Sequence, residues 1–148
     1  MYKHILLPTD GSKLATKAVK QGLRLARTIK ARVTVVNVVP EYRMVADEGF
    51  ILPNAAQIKK RFEEVTTKRS QKLLDAVKTD AKAARVRCRA VSVTSAVPYD
   101  AIIKQAKKNK CDLIMMASHG RKGIASILLG SETAKVLTHS TIPVLVVR

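Results

Sequence analysis

The chain has 148 residues, 47% of them hydrophobic, and its 28 Lys and Arg against 11 Asp and Glu give a formal net charge of +17. That length holds one domain (residues 1–148) with a real core and leaves no space for a tandem second copy. No run of about eighteen apolar residues occurs, and Met1-Tyr2-Lys3-His4 enters a strand pattern directly, with no signal-peptide form; this points away from a membrane span or export and toward a soluble, cytoplasmic chain.

Tyr2 to Thr9 reads as a first strand centred on Ile5-Leu6-Leu7, and Pro8-Thr9-Asp10-Gly11-Ser12 turns the chain. Ser12 then caps a helix to about Ile29, with Ala15, Ala18, Val19, Gly22, Ala26 and Ile29 at three- and four-residue spacing. The β-branched run Val33 to Val39 is a second buried strand. From Pro40 to Pro53 the pattern lapses into the longest loop, a candidate flap over a ligand. Asn54 caps a long helix whose stripe runs through Ile58, Phe62, Val65, Leu73, Val77, Ala81 and Ala84, with its many lysines and arginines off the stripe and facing water.

Arg85 to Ala90 alternates arginine with apolar residues, a pattern that suits an edge strand, its arginines protecting the edge. A helix from about Pro98 to Lys108, with Pro98 near its first position, leads to the apolar strand Cys111 to Ala117. Cys88 and Cys111 fall in these strands at a spacing that matches no metal motif and read as buried free thiols. After a glycine-bearing loop, Ser131 can cap a short helix over Glu132 to His139, and Thr141 to Val147 supplies the last strand. Strands alternating with helices imply an α/β fold: an open parallel five-stranded sheet with helices on both faces.

Ala117-Ser118-His119-Gly120-Arg121-Lys122-Gly123 follows the fourth strand, and Gly130-Ser131 opens the last helix. A strand feeding glycines that open a helix presents backbone N–H groups to an anion, and the missing Cβ lets a phosphate approach. It is neither a Walker A loop, because Glu132 follows Gly130-Ser131, nor a G-x-G-x-x-G fingerprint. His119 is the one candidate base in the loop and reads as a turn residue bonded to backbone, so binding with at most slow hydrolysis is expected and no catalytic residue is assigned. Arg121 and Lys122, at the loop tip, are expected to face solvent.

The spacing Ala117, two residues, Gly120, nine residues, Gly130-Ser131 resembles the Gly-x2-Gly-x9-Gly-Ser/Thr motif of nucleotide-binding universal stress proteins, with alanine in place of the first glycine. The resemblance extends from Ile5-Leu6-Leu7-Pro8-Thr9-Asp10-Gly11-Ser12 to Ile142-Pro143-Val144-Leu145-Val146-Val147. It implies strand order 3-2-1-4-5 in a fold like the adenine-nucleotide alpha-hydrolases, with a crevice beyond strands 1 and 4 where the order reverses. It further implies an ATP or AMP site: Pro8, Thr9 and Asp10 in the adenosine pocket, Val38 as a wall for adenine, and Met116 and Ala117 near the ribose. Gly120, Gly130 and Ser131 would hold the phosphates, with Glu132 offering its N–H alone. Magnesium or manganese would arrive with the nucleotide's phosphates, since the protein alone suggests no metal site. If the glycine replaced by Ala117 needs φ > 0, alanine costs of order 1 kcal/mol; if its φ is ordinary, close to nothing. The apolar last strand at an edge implies a homodimer through Val144, Leu145, Val146 and Val147.

Two other readings stand beside a nucleotide-binding module. One is the same fold without nucleotide, acting through protein partners or Ser/Thr phosphorylation. The other is a polyanion or nucleic-acid binder; aromatic residues are only 3% of the chain, so stacking platforms are scarce, and a solvated basic surface is the preferred account of the charge.

Overall fold

The computed structural model describes residues 1–44, 53–120 and 129–148. The elements in chain order are β1 (His4–Pro8), α1 (Lys13–Ile29), β2 (Arg32–Val39), α2 (Ala55–Ala83), β3 (Cys88–Thr94), α3 (Pro98–Lys108), β4 (Leu113–Ala117), α4 (Ser131–His139) and β5 (Val144–Val147). The strands form one parallel sheet in the order β3-β2-β1-β4-β5.

Period-2 alternation sorts the strand side chains onto two faces. Ile5 and Leu7 of β1, Val33 and Val35 of β2, and Met115 and Ala117 of β4 pack under α1 and α2. Leu6, Val36, Ile114 and Met116 pack on the other face with Ile102, Ile103 and Ala106 of α3 and Val136 of α4. The central strands β1 and β4 are buried along their whole length, as their unbroken apolar runs require.

Helix α1 starts as its sequence suggests, with Ser12 Oγ accepting the Ala15 N–H at 3.2 Å. Asn54 does stand at the N-cap of α2, but with φ of 70° and without a side-chain cap bond. The apolar stripe of α2 is only half used: Ser70, Leu74, Val77 and Ala81 are buried, whereas Ile58 and Val65 are 44% and 50% exposed. The reason is length. At about 1.5 Å per residue a 29-residue helix is roughly 43 Å long, whereas the 8-residue β2 spans about 26 Å, so the first half of α2 outruns the sheet.

The arginine-alternating segment is displaced from its expected place. Arg85 has φ of 57°, in the turn that ends α2, and β3 begins at Cys88, so only Arg89 of the three arginines lies in the strand. The edge position of β3 is as expected. Cys111, buried, precedes β4, and Cys88 is half-exposed, so the expectation of two buried thiols fails for Cys88. The candidate flap falls largely on residues 45–52, outside the described residues; at its near end Tyr42 packs on Phe62 with ring centroids 5.5 Å apart.

Candidate functional site

The reversal of strand order between β1 and β4 brings the segment after β1 and the segment after β4 to one edge of the sheet, although they are more than a hundred residues apart in the chain. After β1, Thr9 is buried and consumed by structure. Its N–H bonds Val36 O at 2.9 Å, its carbonyl accepts Asn37 Nδ2 at 2.8 Å, and its hydroxyl accepts the Gly11 N–H at 3.2 Å. Gly11 takes φ of 76°, and the Asp10 Oδ1 accepts the Ser12 N–H at 2.9 Å. These bonds fix where the Asp10 carboxylate sits.

Gly120 lies directly against that carboxylate: a Cβ at this position would overlap Asp10 Oδ2. Among the described glycines only Gly11 has a positive φ, so Gly120 is needed for close approach and not for a left-handed backbone. Gly130 likewise permits a close approach, here to the chain just after β4. Its N–H bonds Ser118 O at 2.7 Å, and a Cβ there would press on the Cα and Cβ of His119, both 3.1 Å away. Thr133 Oγ1 donates to Ala117 O at 3.0 Å, and the Ser118 N–H donates to Val147 O at 2.8 Å. The start of α4 is thus fastened to the end of β4, beside Asp10.

The N-cap of α4 is Gly130 and not Ser131; glycine brings no side chain to cap the helix, and Ser131 is its first, exposed residue. The N-cap residue therefore supplies no side-chain bond to the first-turn N–H groups, which stand with the helix dipole beside the cleft. Glu132 is turned elsewhere. Its Oε2 accepts the Tyr99 N–H at 2.8 Å, capping the first turn of α3, where no side chain of α3's own N-cap does so. Glu132 can consequently offer a ligand its N–H without bringing its carboxylate.

Ala117 ends β4 without a positive φ, and its methyl is buried in the core on the α1 side, so alanine here carries no backbone strain. Met116 is buried on the opposite face, which leaves both residues only their backbone to present at the cleft. Pro8 is buried in β1, and Val38, half-buried near the end of β2, packs at the margin of the α3 and α4 core. His119 Nδ1 pairs with Ser118 Oγ at 3.2 Å, a side-chain partner where a backbone one was expected. Arg121 and Lys122 lie outside the described residues.

Three residues that build the cleft carry no obvious sequence motif: Asn37, Ser118 and Thr133. Asn37 could have been noticed as the lone amide in the β-branched strand Val33 to Val39. Among the described residues no group of three His, Cys, Asp or Glu could hold a metal ion, and no helix is long and apolar enough to cross a membrane. Two surface hollows lie away from the cleft, one lined by Ile58, Phe62 and Val65 on α2 and one between Tyr42, Thr94 and Thr66.

At the β5 edge, Val147 is buried, Val144 and Val146 are half-buried and Leu145 is 43% exposed, so an apolar strand lies at the sheet margin.

The chain is 33% identical to universal stress protein MJ0577 of Methanocaldococcus jannaschii over 156 residues, covering all of this chain and 96% of the relative. A solved structure of MJ0577 superposes with a TM-score of 0.81, covering 99% of this chain and 96% of that one at 28% identity. A universal stress protein solved in complex with cAMP matches with a TM-score of 0.72 at 26% identity, covering 99% and 97%. The model of the universal stress protein family matches residues 1–148. With the sheet order and the β1–β4 cleft already established, these matches place the chain in the universal stress protein family.

Proposed function

We propose that this chain is a cytoplasmic nucleotide-binding module that takes ATP or AMP in the cleft beyond β1 and β4 and works as a homodimer. The observation that carries the reading is the meeting of Gly120 with Asp10 at the foot of a helix whose N-cap, Gly130, brings no side chain. Cradles that a Cβ would fill, beside first-turn N–H groups, suit a phosphate. The Gly120 and Gly130 segments and the Ser131 hydroxyl would hold the phosphate oxygens. Asp10, an acceptor, suits the ribose hydroxyls, and Val38 offers an apolar margin for adenine. Support also comes from the cAMP complex of the 26%-identical relative. Any magnesium or manganese would be carried by the nucleotide's phosphates.

The exposed β5 edge supports pairing with a second copy through Val144, Leu145, Val146 and Val147. Isothermal titration of the purified chain with AMP and with ATP plus magnesium tests the binding reading. Saturable binding that weakens at least tenfold in Gly120→Ala is expected, and no heat at millimolar nucleotide would remove it.

A further inference from the structure

The cleft occupies one edge of the sheet; the opposite edge, where the strands begin, carries a threefold repeated device. Helices α1, α2 and α3 each end in the same turn, with a basic residue in the left-handed region: Lys30 (φ 57°), Arg85 (φ 57°) and Lys110 (φ 54°). The next residue's N–H reaches five residues back to an alanine carbonyl each time: Ala31 to Ala26 at 2.8 Å, Val86 to Ala81 at 3.0 Å, and Cys111 to Ala106 at 2.9 Å. Ala31, Val86 and Cys111 are all buried, which locks each turn and leaves the basic side chain before it exposed.

A left-handed φ favours glycine or asparagine, and here lysine or arginine holds the position in three of the four helix-to-strand turns, the exception being α4 to β5, where Ser140 has φ of −82°. Compensation of the helix dipole does not require it, since Arg27, Lys82, Lys107 and Lys108 already occupy the last turns. Two of the turns are followed at once by a second exposed cation, Arg32 and Arg87, which the parallel register sets side by side: Val33 pairs with Cys88, so the residues before them are neighbours. The third is followed by Asp112, a half-buried carboxylate bonded to the backbone at the start of β1. Burial alone would raise its pKa, but the N–H groups of Lys3 and His4, at 2.8 and 2.9 Å, outweigh this and hold it low.

We propose that this edge of the sheet is a second binding face, which takes the phosphate backbone of double-helical nucleic acid without reading its sequence. From β3 to β4 the turns span three strand spacings, about 14 Å, along which a duplex carries about eight phosphates. The cations are anchored on locked turns and so form a preformed row. Nucleic acid is favoured over an anionic membrane because the row is made of cations, Lys30, Arg32, Arg85, Arg87 and Lys110, and none of the exposed large apolar side chains described belongs to these turns to enter lipid. With few aromatics in the chain, contacts are to phosphate and not to stacked bases.

The test is fluorescence anisotropy with two labelled 20-base-pair duplexes of unrelated sequence between 50 and 300 mM KCl. Binding of both with similar affinity is expected, with a log–log salt slope of about −4.5 if five phosphates are engaged. The triple variant Lys30→Asn, Arg85→Asn and Lys110→Asn removes three charges while supplying a residue suited to the left-handed turn. It should keep its melting temperature, lose at least tenfold in affinity, and have a slope shallower by about 2.7. A second variant, Arg32→Gln and Arg87→Gln, touches no left-handed residue and should also weaken binding, with a slope shallower by about 1.8, which keeps the test valid if the first fails to fold. Lys60→Gln, Lys68→Gln and Lys72→Gln on α2 is the control and should move the slope by less than 1. No association at 50 mM, equal weakening by control and face variants, or binding to phosphatidylserine vesicles but not to duplex would each overturn the proposal. Nucleotide titration of the same variants should be unchanged, so failure here and failure of the cleft reading are separable.

Discussion

Gly120→Ala is the substitution that probes the cleft most sharply. The added methyl would overlap Asp10 Oδ2, and a carboxylate that swings aside to clear it leaves the position in which its Oδ1 accepts the Ser12 N–H at 2.9 Å. That hydrogen bond has a charged acceptor and is part-buried, so losing it costs about 1.5 kcal/mol, the low end of the range for such bonds. Against this, alanine at an ordinary φ gains roughly 0.5 kcal/mol by restricting the unfolded chain. The net loss should be near 1 kcal/mol, or a urea midpoint lower by about 0.5 M at a slope near 2 kcal/mol per M. In an Asp10→Ala background there is nothing to displace, and the same substitution should be neutral or mildly stabilising. Urea melts of the four chains in this double-mutant cycle measure the difference, expected at about 1.5 kcal/mol. A coupling below about 0.5 kcal/mol would show that Gly120 and Asp10 do not meet in solution as they do here.

Other outcomes follow from single residues. Leu145→Lys puts a charge on the exposed β5 edge, and sedimentation velocity should show a shift from dimer to monomer; an unchanged dimer would place the interface elsewhere. His4 has its pKa lowered by burial and then by the Arg32 charge, from an ordinary value of 6.5. Its contribution to stability is therefore complete above pH 6.5 and is lost as pH falls below it, because the unfolded chain takes up the proton first. In His4→Gln the drop in urea midpoint between pH 7.5 and 5.5 should shrink; an identical drop would refute this. Burial pushes the Cys111 thiol up to about 11 and also raises Cys88, so neither should react with an aromatic disulfide reagent at pH 8 as fast as in the urea-unfolded chain.

Much of this architecture is visible in the residues before any coordinates. The apolar runs Ile5-Leu6-Leu7 and Leu113 to Ala117 can only be doubly covered strands, and the stripe Ala15-Ala18-Val19-Gly22-Ala26 can only be a helix face packed on a sheet. What pattern could not show was where a stripe stops being buried. Ile58, Phe62 and Val65 continue the period of α2 although little of the sheet lies beneath them, and periodicity carries no information about the length of the neighbouring layer. Arg85 and Arg87 misled for a related reason. Alternation extended the strand backward into a turn whose left-handed residue is arginine, where glycine would have marked the break.

At the cleft, the glycine spacing singled out Gly120 and Gly130, but the reason for Gly120 emerged only in three dimensions: a carboxylate 110 positions away occupies the space of its side chain. Ser131 was legible as a helix start yet not as the residue after the cap, since Gly130-Ser131 allows either register. Asn37, Ser118 and Thr133 act through bonds to backbone carbonyls or N–H groups of other segments, and no local spacing encodes such partners.

The measurement that bears most directly on the cleft is a 15N-resolved NMR titration of the full chain with AMP. The amide resonances of Gly120, Gly130 and Ser131 should shift together along one saturable curve while those of Lys30, Arg85 and Lys110 stay in place. Amides at the cleft that do not move at millimolar AMP or ATP, or shifts confined to the opposite edge of the sheet, would contradict the account.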